Sequence, residues 1–222
     1  MGTYYKNCEQ YLDRIDRGAW VELGVDRGEG STRWFSELAQ TKATRFYGVD
    51  MDPDQIQRAQ TNLAATGQAI IQADGSIQMQ TGELADHISL IADRGEEFLK
   101  KLNNTEQISL IYLDNFDWDY WLGREEEAFV AGVKQRYRDT MQTEMTNINS
   151  QLTHLLQAIH AMPMMTPNSL IICDDTWAMP EEGTFSGKCS AVIPYALLNG
   201  YRILHNSGYR QNSGVILGRF QQ

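Results

Sequence analysis

The stretch AWVELGVDRGEGS, Ala19 to Ser31, decides the reading of this chain. Ala19–Val25 is apolar except for Glu22 and has the length of a buried strand. It runs into the turn GVDRGEG, and Ser31-Thr32 then open a helix reaching to about Gln40. Glycines between a strand and a helix let the backbone approach a ligand closely, while the helix N-terminus offers free N–H groups to an anion. RFYGVD (Arg45–Asp50) reads as the next strand, and Asp50 lies 20 residues beyond Gly30. A carboxylate there can accept the hydroxyl hydrogens of a ribose. Either half alone would be loop punctuation or a helix-capping acid; together they predict a site for a nucleoside-bearing cofactor.

Outward from this unit, strand-like and helix-like segments alternate. Tyr4–Ile15 carries Tyr5, Cys8, Tyr11, Leu12 and Ile15 at helical spacing and ends before Gly18. Pro53 opens a helix that stops at Gly67. Two segments compete to be the third strand, Ala69–Ala73 and His87–Asp93. The second is preferred because RGEEFLKKL follows it directly as a helix, which makes 69–86 an insertion. Gln107–Asp114 is almost wholly apolar, as expected of a central parallel strand covered on both faces. A long helical segment follows over 124–161, either one helix or a broken pair, and MPMMTP (Met162–Pro167) ends it. Ser169–Asp175 is the fifth strand, then a loop through Gly183 and Gly187, a helix over Ala191–Leu198, and an antiparallel pair in YRILHNSG and SGVILGRF. The expected fold is one α/β domain: a doubly wound, Rossmann-like, mostly parallel seven-stranded sheet with a C-terminal antiparallel hairpin, whose ligands sit beyond the carboxyl ends of the strands.

Composition narrows the function. With 222 residues, 42% of them apolar, one domain with one sizeable core is expected. No apolar run approaches the length of a membrane span, and the N-terminus shows no secretory pattern. Lys and Arg number 19 against 29 Asp and Glu, a formal charge of -10 without a basic stripe, which argues against nucleic acid and anionic membranes. The three cysteines, Cys8, Cys173 and Cys189, fit neither a zinc site nor a disulfide scaffold, so a reducing cytoplasm is expected.

The glycine pattern is G-x-x-x-G-x-G, not the G-x-G-x-x-G of a dinucleotide turn. Glu22 would suit a ligand ammonium, Asp26 would repel a pyrophosphate, and Ser31 and Thr32 could bind a carboxylate. These features favour S-adenosyl-L-methionine over NAD. VELGVDRGEGS followed by GVDMDPDQIQRA resembles the first two motifs of class I S-adenosylmethionine-dependent methyltransferases. Within these the chain is similar to the catechol O-methyltransferase-like and macrocin O-methyltransferase-like groups, over most of Val21–Asp175. The resemblance implies that Glu22, Gly24, Gly28 and Ser31 hold the methionine part and that Asp50, with Met51 beside it, holds the ribose. It assigns the adenine end to Asp93 and Arg94, or to Asp74-Gly75 if the earlier strand is the true one. Asp114 borders the cofactor as well.

Asp114, Asp174 and Asp175 stand at the ends of the fourth and fifth strands. Clustered carboxylates repel one another, so a cation, raised pKa values or solvent must compensate. Oxygen ligands suit Mg²⁺ or another divalent ion, which could lower the pKa of a substrate hydroxyl; equally, the acids could cap loops and helices. The resemblance favours metal, since catechol-type enzymes hold one with an Asp after the fourth strand and an Asp-Asn pair after the fifth. The pair here is Asp-Asp, as in the macrocin-type group. Where catechol-type enzymes place a Lys, three residues beyond the first metal Asp, this chain has Asp117, the candidate general base with Asp114 beside it. His154, His160 and His205 are weaker candidates for the base. Catechol-type enzymes also carry more helical material before the first strand, which weighs against a catechol substrate. Trp118, Tyr120, Trp121 and Trp177 are placed to rim a pocket for a small molecule. The reading is metal-assisted methyl transfer to a hydroxyl oxygen of a small molecule, with a homodimer expected through the long helical segment. Its rivals are a metal-independent N-methyltransferase whose acids bind an amine, a non-catalytic S-adenosylmethionine-binding protein, and an NAD-dependent oxidoreductase.

Overall fold

The computed structural model describes residues 3–64, 69–71, 77–79, 87–103, 105–121, 123–124, 127–208 and 213–221. A 3-10 helix, Tyr4–Arg14, leads into β1 (Ala19–Leu23), α1 (Ser31–Thr41), β2 (Phe46–Asp50) and α2 (Pro53–Ala64). Two three-residue strands follow, β3 (Ala69–Ile71) and β4 (Ile77–Met79), then β5 (Ile88–Ala92), α3 (Gly95–Leu102) and β6 (Ile108–Leu113). The second half holds α4 (Ala128–Met141), α5 (Asn147–Ala161), β7 (Met165–Asp174), β8 (Thr176–Met179), β9 (Thr184–Gly187), α6 (Val192–Leu198), β10 (Arg202–Asn206) and β11 (Gly214–Arg219).

Seven strands form one sheet in the order β10-β11-β7-β6-β1-β2-β5. β7, β6, β1, β2 and β5 are mutually parallel, while β11 and β10 close the edge as an antiparallel pair. This is the mostly parallel, Rossmann-like sheet that the sequence predicts. The chain winds outward from β1 through β2 to β5, then returns to the other side of β1 with β6. The strand order therefore reverses between β1 and β6, and the crevice beyond their carboxyl ends is where such a sheet binds ligands.

Alternate strand residues face opposite layers, as the two-residue period of a strand demands. Val21, Leu23, Ile111, Leu113, Ile171 and Cys173 pack with α3, α5 and α6. Trp20, Leu110, Tyr112, Leu170 and Ile172 pack with the opening 3-10 helix, α1 and α2. Among the described residues no helix is long and apolar enough to cross a membrane.

Several elements differ from their sequence-based reading. The opening stripe forms a 3-10 helix, which still buries Tyr4, Tyr5, Cys8 and Leu12. Ile88–Ala92 joins the main sheet beside β2, whereas β3 and β4 pair only with each other; the rest of 69–86 and residues 65–68 lie outside the described residues, apart from these two strands. Segment 124–161 holds two helices. Gln142, in the left-handed region at φ 51, stops α4, and the Thr146 side chain accepts the Asn149 N–H to start α5. The expected loop through Gly183 and Gly187 is a hairpin, β8 against β9.

Helix α5 is amphipathic in an inverted sense. Ile148, Leu152, Leu156 and Ile159 are exposed, while Ser150, His154 and Gln157 are buried. Two of these buried polar groups find partners beneath the helix. Ser150 donates to the Phe116 carbonyl at 3.0 Å, and Gln157 donates to Asn115 Oδ1 at 2.9 Å.

One acid interrupts the sheet. Glu22, in β1 between β2 and β6, is fully buried, and neither carboxylate oxygen makes a hydrogen bond among the described residues. Burial pushes its carboxyl up to about 8, against the restraint of nearby Ser31 and Thr32. The Thr32 hydroxyl is committed to the Val25 carbonyl at 3.3 Å. Glu22 is therefore mostly uncharged at neutral pH. A carboxyl whose folded pKa is raised contributes its full stability below the unfolded value and loses it as pH climbs to the folded one, at roughly 1.36 kcal/mol per pKa unit. Glu22→Gln should match the parent near pH 4.5 and become progressively more stable than it up to pH 8. Denaturation midpoints across that range check this, and parallel curves would refute the assignment.

Candidate active site

The glycine-rich turn is built for two close approaches. Gly24 has φ 97, and a Cβ added there would stand 2.6–2.7 Å from the backbone of Asp114 and Asn115 at the end of β6. Asp114 N–H also donates to the Leu23 carbonyl at 2.8 Å. Gly24 thus brings the turn against the acid that ends the neighbouring strand, a packing only glycine permits. At Gly28 (φ 72) the added Cβ would meet Ala59 of α2 at 2.7 Å, so the need for glycine there is helix packing. Ser31 is the first residue of α1.

Asp50 ties this turn to β2. Its Oδ2 accepts the N–H groups of Val25 and Asp26, each at 3.2 Å, and its Oδ1 accepts that of Asp52 at 3.0 Å. A carboxylate has about four lone-pair sites, so one remains for a ligand hydroxyl. Burial raises its carboxyl to about 6, opposed by the Asp52, Asp26 and Val25 N–H groups.

Beyond the turn lies a cleft of about 360 Å³, within the range of small-molecule sites. Gly24, Asp50, Met51, Asp114, Asp117, Asp174 and Asp175 all line it, together with Asp26 and Asp52. Glu22, Gly28, Ser31, Asp93 and Arg94 do not. Asp93 and Arg94 are engaged nearby, with Lys101 (2.6 Å) and Glu96 (2.7 Å) respectively. Asp74-Gly75 lies outside the described residues. Helix α4 forms another wall through Arg136, Tyr137, Thr140 and Met141, and Met51 packs against its apolar side.

The acids at the ends of β6 and β7 surround a lysine. Lys188 Nζ lies 2.6 Å from Asp114 Oδ1, 3.2 Å from Asp175 Oδ2, 3.9 Å from Asp117 Oδ1 and 4.0 Å from Asp174 Oδ2, and its side chain is only 3% exposed. The β8–β9 hairpin delivers it. Asp175, left-handed at φ 42, turns the chain out of β7. Gly187, at φ 99, lets the returning strand lie so close that any Cβ would overlap the Asp175 carbonyl oxygen. Lys188 N–H then donates to that carbonyl at 3.0 Å, and Cys189 N–H donates to Thr176 Oγ1 at 3.0 Å.

Burial alone would push the Lys188 ammonium down, but Asp114, Asp175, Asp174 and Asp117 hold it well above the ordinary lysine value. Burial raises the Asp114 carboxyl, with Lys188 opposing. Burial and then the Asp114 charge hold Asp174 well above the usual carboxylate range. Asp114, Asp174 and Asp175, the expected metal ligands, do come together in the cleft. Among the described residues no three His, Cys, Asp or Glu groups are arranged to hold a metal ion. The acids converge instead on the Lys188 ammonium. Clustered acids require a counter-charge, and Lys188 supplies it; nothing in the sequence singles it out, because it lies 13 residues past Asp175 and is returned by a hairpin whose residues read as a loop.

Asp117 stands at the mouth of the cleft, its N–H donating to the Tyr137 hydroxyl at 2.7 Å. His154 is buried, its Nδ1 2.7 Å from the Ser150 carbonyl, and burial holds its pKa down at about 3. It is a neutral core residue. Trp118, Tyr120 and Trp177 group together: the Trp118 and Trp177 rings meet edge-on at 6.0 Å, and Tyr120 stacks on Trp177 at 6.4 Å. Tyr120 borders Asp175, whose charge adds to burial in raising its phenol. Trp121 meets the Phe129 ring edge-on at 5.5 Å and packs against the cluster of Phe116, Tyr137 and Met141.

Comparison with known proteins agrees with this frame. The structure is similar to an rRNA methylase from Streptococcus thermophilus, at 10% identity over 100% of this chain and 98% of that one, with a TM-score of 0.53. It is also similar to the O-methyltransferase TomG from Streptomyces achromogenes, solved with S-adenosylmethionine (12% identity, 99% and 79% covered, TM-score 0.51). A third likeness is to the methyltransferase PaMTH1 of Podospora anserina (13% identity, 92% and 72% covered, TM-score 0.50). At such identities the likeness is one of fold. No curated protein matches the sequence. The family described as "Methyltransferase domain" matches residues 21–176, from β1 through the acids that end β7. With that match, the strand order and the turn at Gly24, the chain belongs to this methyltransferase family and has the class I S-adenosylmethionine-dependent fold.

Proposed function

We propose that this protein transfers a methyl group from S-adenosylmethionine to an amine of a small molecule, without a divalent metal ion. The observation that carries the reading is the charge of the cleft. Seven aspartates line it, at 26, 50, 52, 114, 117, 174 and 175, against only Lys188 and Arg136. An acid-lined cleft attracts cations, and both the sulfonium donor and a protonated amine are cationic. The aromatic group beside Asp175 supports the same acceptor, since ring faces next to a carboxylate favour an ammonium. The net charge of -10 and this lining speak against a nucleic-acid substrate. Kinship with the macrocin-type group is supported by the Asp174-Asp175 pair; the metal that went with it, and with the hydroxyl acceptor, is set aside because Lys188 stands among the acids.

The residues present suit the donor. The Gly24 turn lines the cleft beside the end of β6, and Asp50 keeps a lone pair for a ribose hydroxyl. When bound, S-adenosylmethionine supplies an electrophilic methyl carbon. Asp175, with Tyr120 beside it, holds the acceptor amine, and Asp117, at the mouth of the cleft, takes the proton that frees its lone pair. The remainder of the work is alignment and the exclusion of water.

We further propose that the chain is a homodimer through α5. Its exposed residues Ile148, Leu152, Leu156 and Ile159 form a stripe along one side. The helix carries no Asp, Glu, Lys or Arg from Asn147 to Ala161. Two copies of an acidic chain can meet there without apposing like charges.

Three outcomes follow. Calorimetric titration should give one-site binding of S-adenosylmethionine that strengthens as pH rises through about 6, where Asp50 ionises. Asp50→Asn should weaken it roughly 10- to 100-fold and flatten that pH dependence; a parent protein that binds nothing would end the methyltransferase reading. In a panel of small amines and hydroxyl compounds, amines should release S-adenosylhomocysteine equally with and without chelator, and Asp117→Asn should lower kcat about 100-fold. Turnover confined to hydroxyl acceptors, or abolished by chelator, would overturn the acceptor assignment. Sedimentation should show a dimer that Leu152→Glu converts to a monomer, and a monomeric parent would remove α5 as an interface.

A further inference from the structure

The placement of Lys188 says more about how this site is held. We propose that Lys188 is the resident cation of the acidic centre, a positioning residue that holds Asp114 and Asp175 in place as a divalent ion otherwise would, so that the cluster accepts a metal only when the lysine is removed. The inference rests on the reading of the cleft as the methyl-transfer site.

Three observations support it. First, the ammonium is 2.6 Å from Asp114 and 3.2 Å from Asp175, with Asp117 and Asp174 within about 4 Å, so it stands at the point where the carboxylates converge. An ammonium is a compact point charge with three donors. One donates to Asp114, and Asp175 stands at ion-pair distance on another side. Secondly, the lysine is not a surface side chain that happened to fold inward. Its own N–H is fixed to the Asp175 carbonyl, its neighbour Cys189 is fixed to Thr176, and Gly187 supplies the backbone conformation that makes the approach feasible. Thirdly, a charged pair taken out of water is weak evidence of stabilisation, because desolvation offsets the attraction. A buried lysine with four acid neighbours at the mouth of a ligand cleft therefore points to a role in the site. Removing the lysine leaves Asp114 and Asp175, both within 3.2 Å of the position its ammonium held, without that counter-charge, and carboxylate oxygens are the ligands a hard divalent ion takes.

The experiment reads metal binding directly. Mn²⁺ is titrated into chelator-treated protein and the free ion is followed by electron paramagnetic resonance, with circular dichroism and S-adenosylmethionine binding as the controls for folding. The parent should leave the Mn²⁺ signal free at 1:1 up to about 1 mM, whereas folded Lys188→Ala should bind one ion at least tenfold more tightly, and Asp114→Asn in that background should abolish the binding. Lys188→Gln serves as a second variant should the alanine form not fold. In turnover assays, Lys188→Ala should lose kcat at least tenfold with little change in the KM for S-adenosylmethionine, and Mn²⁺ should restore part of it. Saturable 1:1 binding of Mn²⁺ to the parent, or folded lysine variants that bind none, would overturn the proposal. The Mn²⁺ readout needs no acceptor, so its outcome is distinguished from that of the turnover assays, and its failure leaves the methyl-transfer reading untouched.

Discussion

The contact between Gly24 and the Asp114–Asn115 backbone is the constraint on which the site depends. It exists because β1 and β6 are neighbours in the sheet although they are remote in sequence, and because the winding changes direction between them. Without a side chain at position 24, the turn after β1 closes onto the end of β6, and the Leu23 carbonyl accepts the Asp114 N–H. The cofactor turn and the acid that faces the reacting groups thereby become one surface. Asp50 draws in the third neighbouring strand by accepting the Val25 and Asp26 N–H groups of the same turn.

Charge is managed differently at three depths. In the sheet, Glu22 avoids the cost of a buried anion by keeping its proton. At the strand ends, Asp114 and Asp175 are paired with Lys188, while burial and the Asp114 charge raise the Asp174 carboxyl. Nearer solvent, Asp26 and Asp52 remain as a field that favours cations. The same residue type takes three roles because the dielectric and the neighbours change from floor to mouth.

Much of the architecture was legible because it rests on local signals. The apolar runs 108–113 and 169–174 and the glycine turn after β1 each fix an element, and their alternation fixes the sheet. The acids at 50, 114, 174 and 175 follow from the rule that ligands gather beyond strand ends, and all of them line the cleft. What escaped the sequence was set by chain reversal. Nothing near Lys188 announces an acidic neighbourhood; the hairpin β8–β9 creates it, through the left-handed backbone of Asp175 and Gly187. The wall supplied by Arg136, Tyr137, Thr140 and Met141 depended likewise on where α4 stops, a break set by the left-handed Gln142. The buried polar side of α5 runs against the usual periodic reading, because Asn115 and Phe116 offer polar partners where apolar ones are assumed.

The opening 3-10 helix has a consequence of its own. Tyr4 and Tyr5 lie against Tyr112, whose hydroxyl donates to Asp114 at 3.4 Å, and Gly214 has no side chain where the Tyr4 ring passes. The segment is thus the floor beneath the acids rather than a trailing end. A protein trimmed to begin at β1 would keep every residue of the cleft and still expose the underside of Asp114 to water. Its carboxyl would ionise more readily, its hold on Lys188 would weaken, and a variant that looked intact by its catalytic residues would have lost the dry foundation on which they stand.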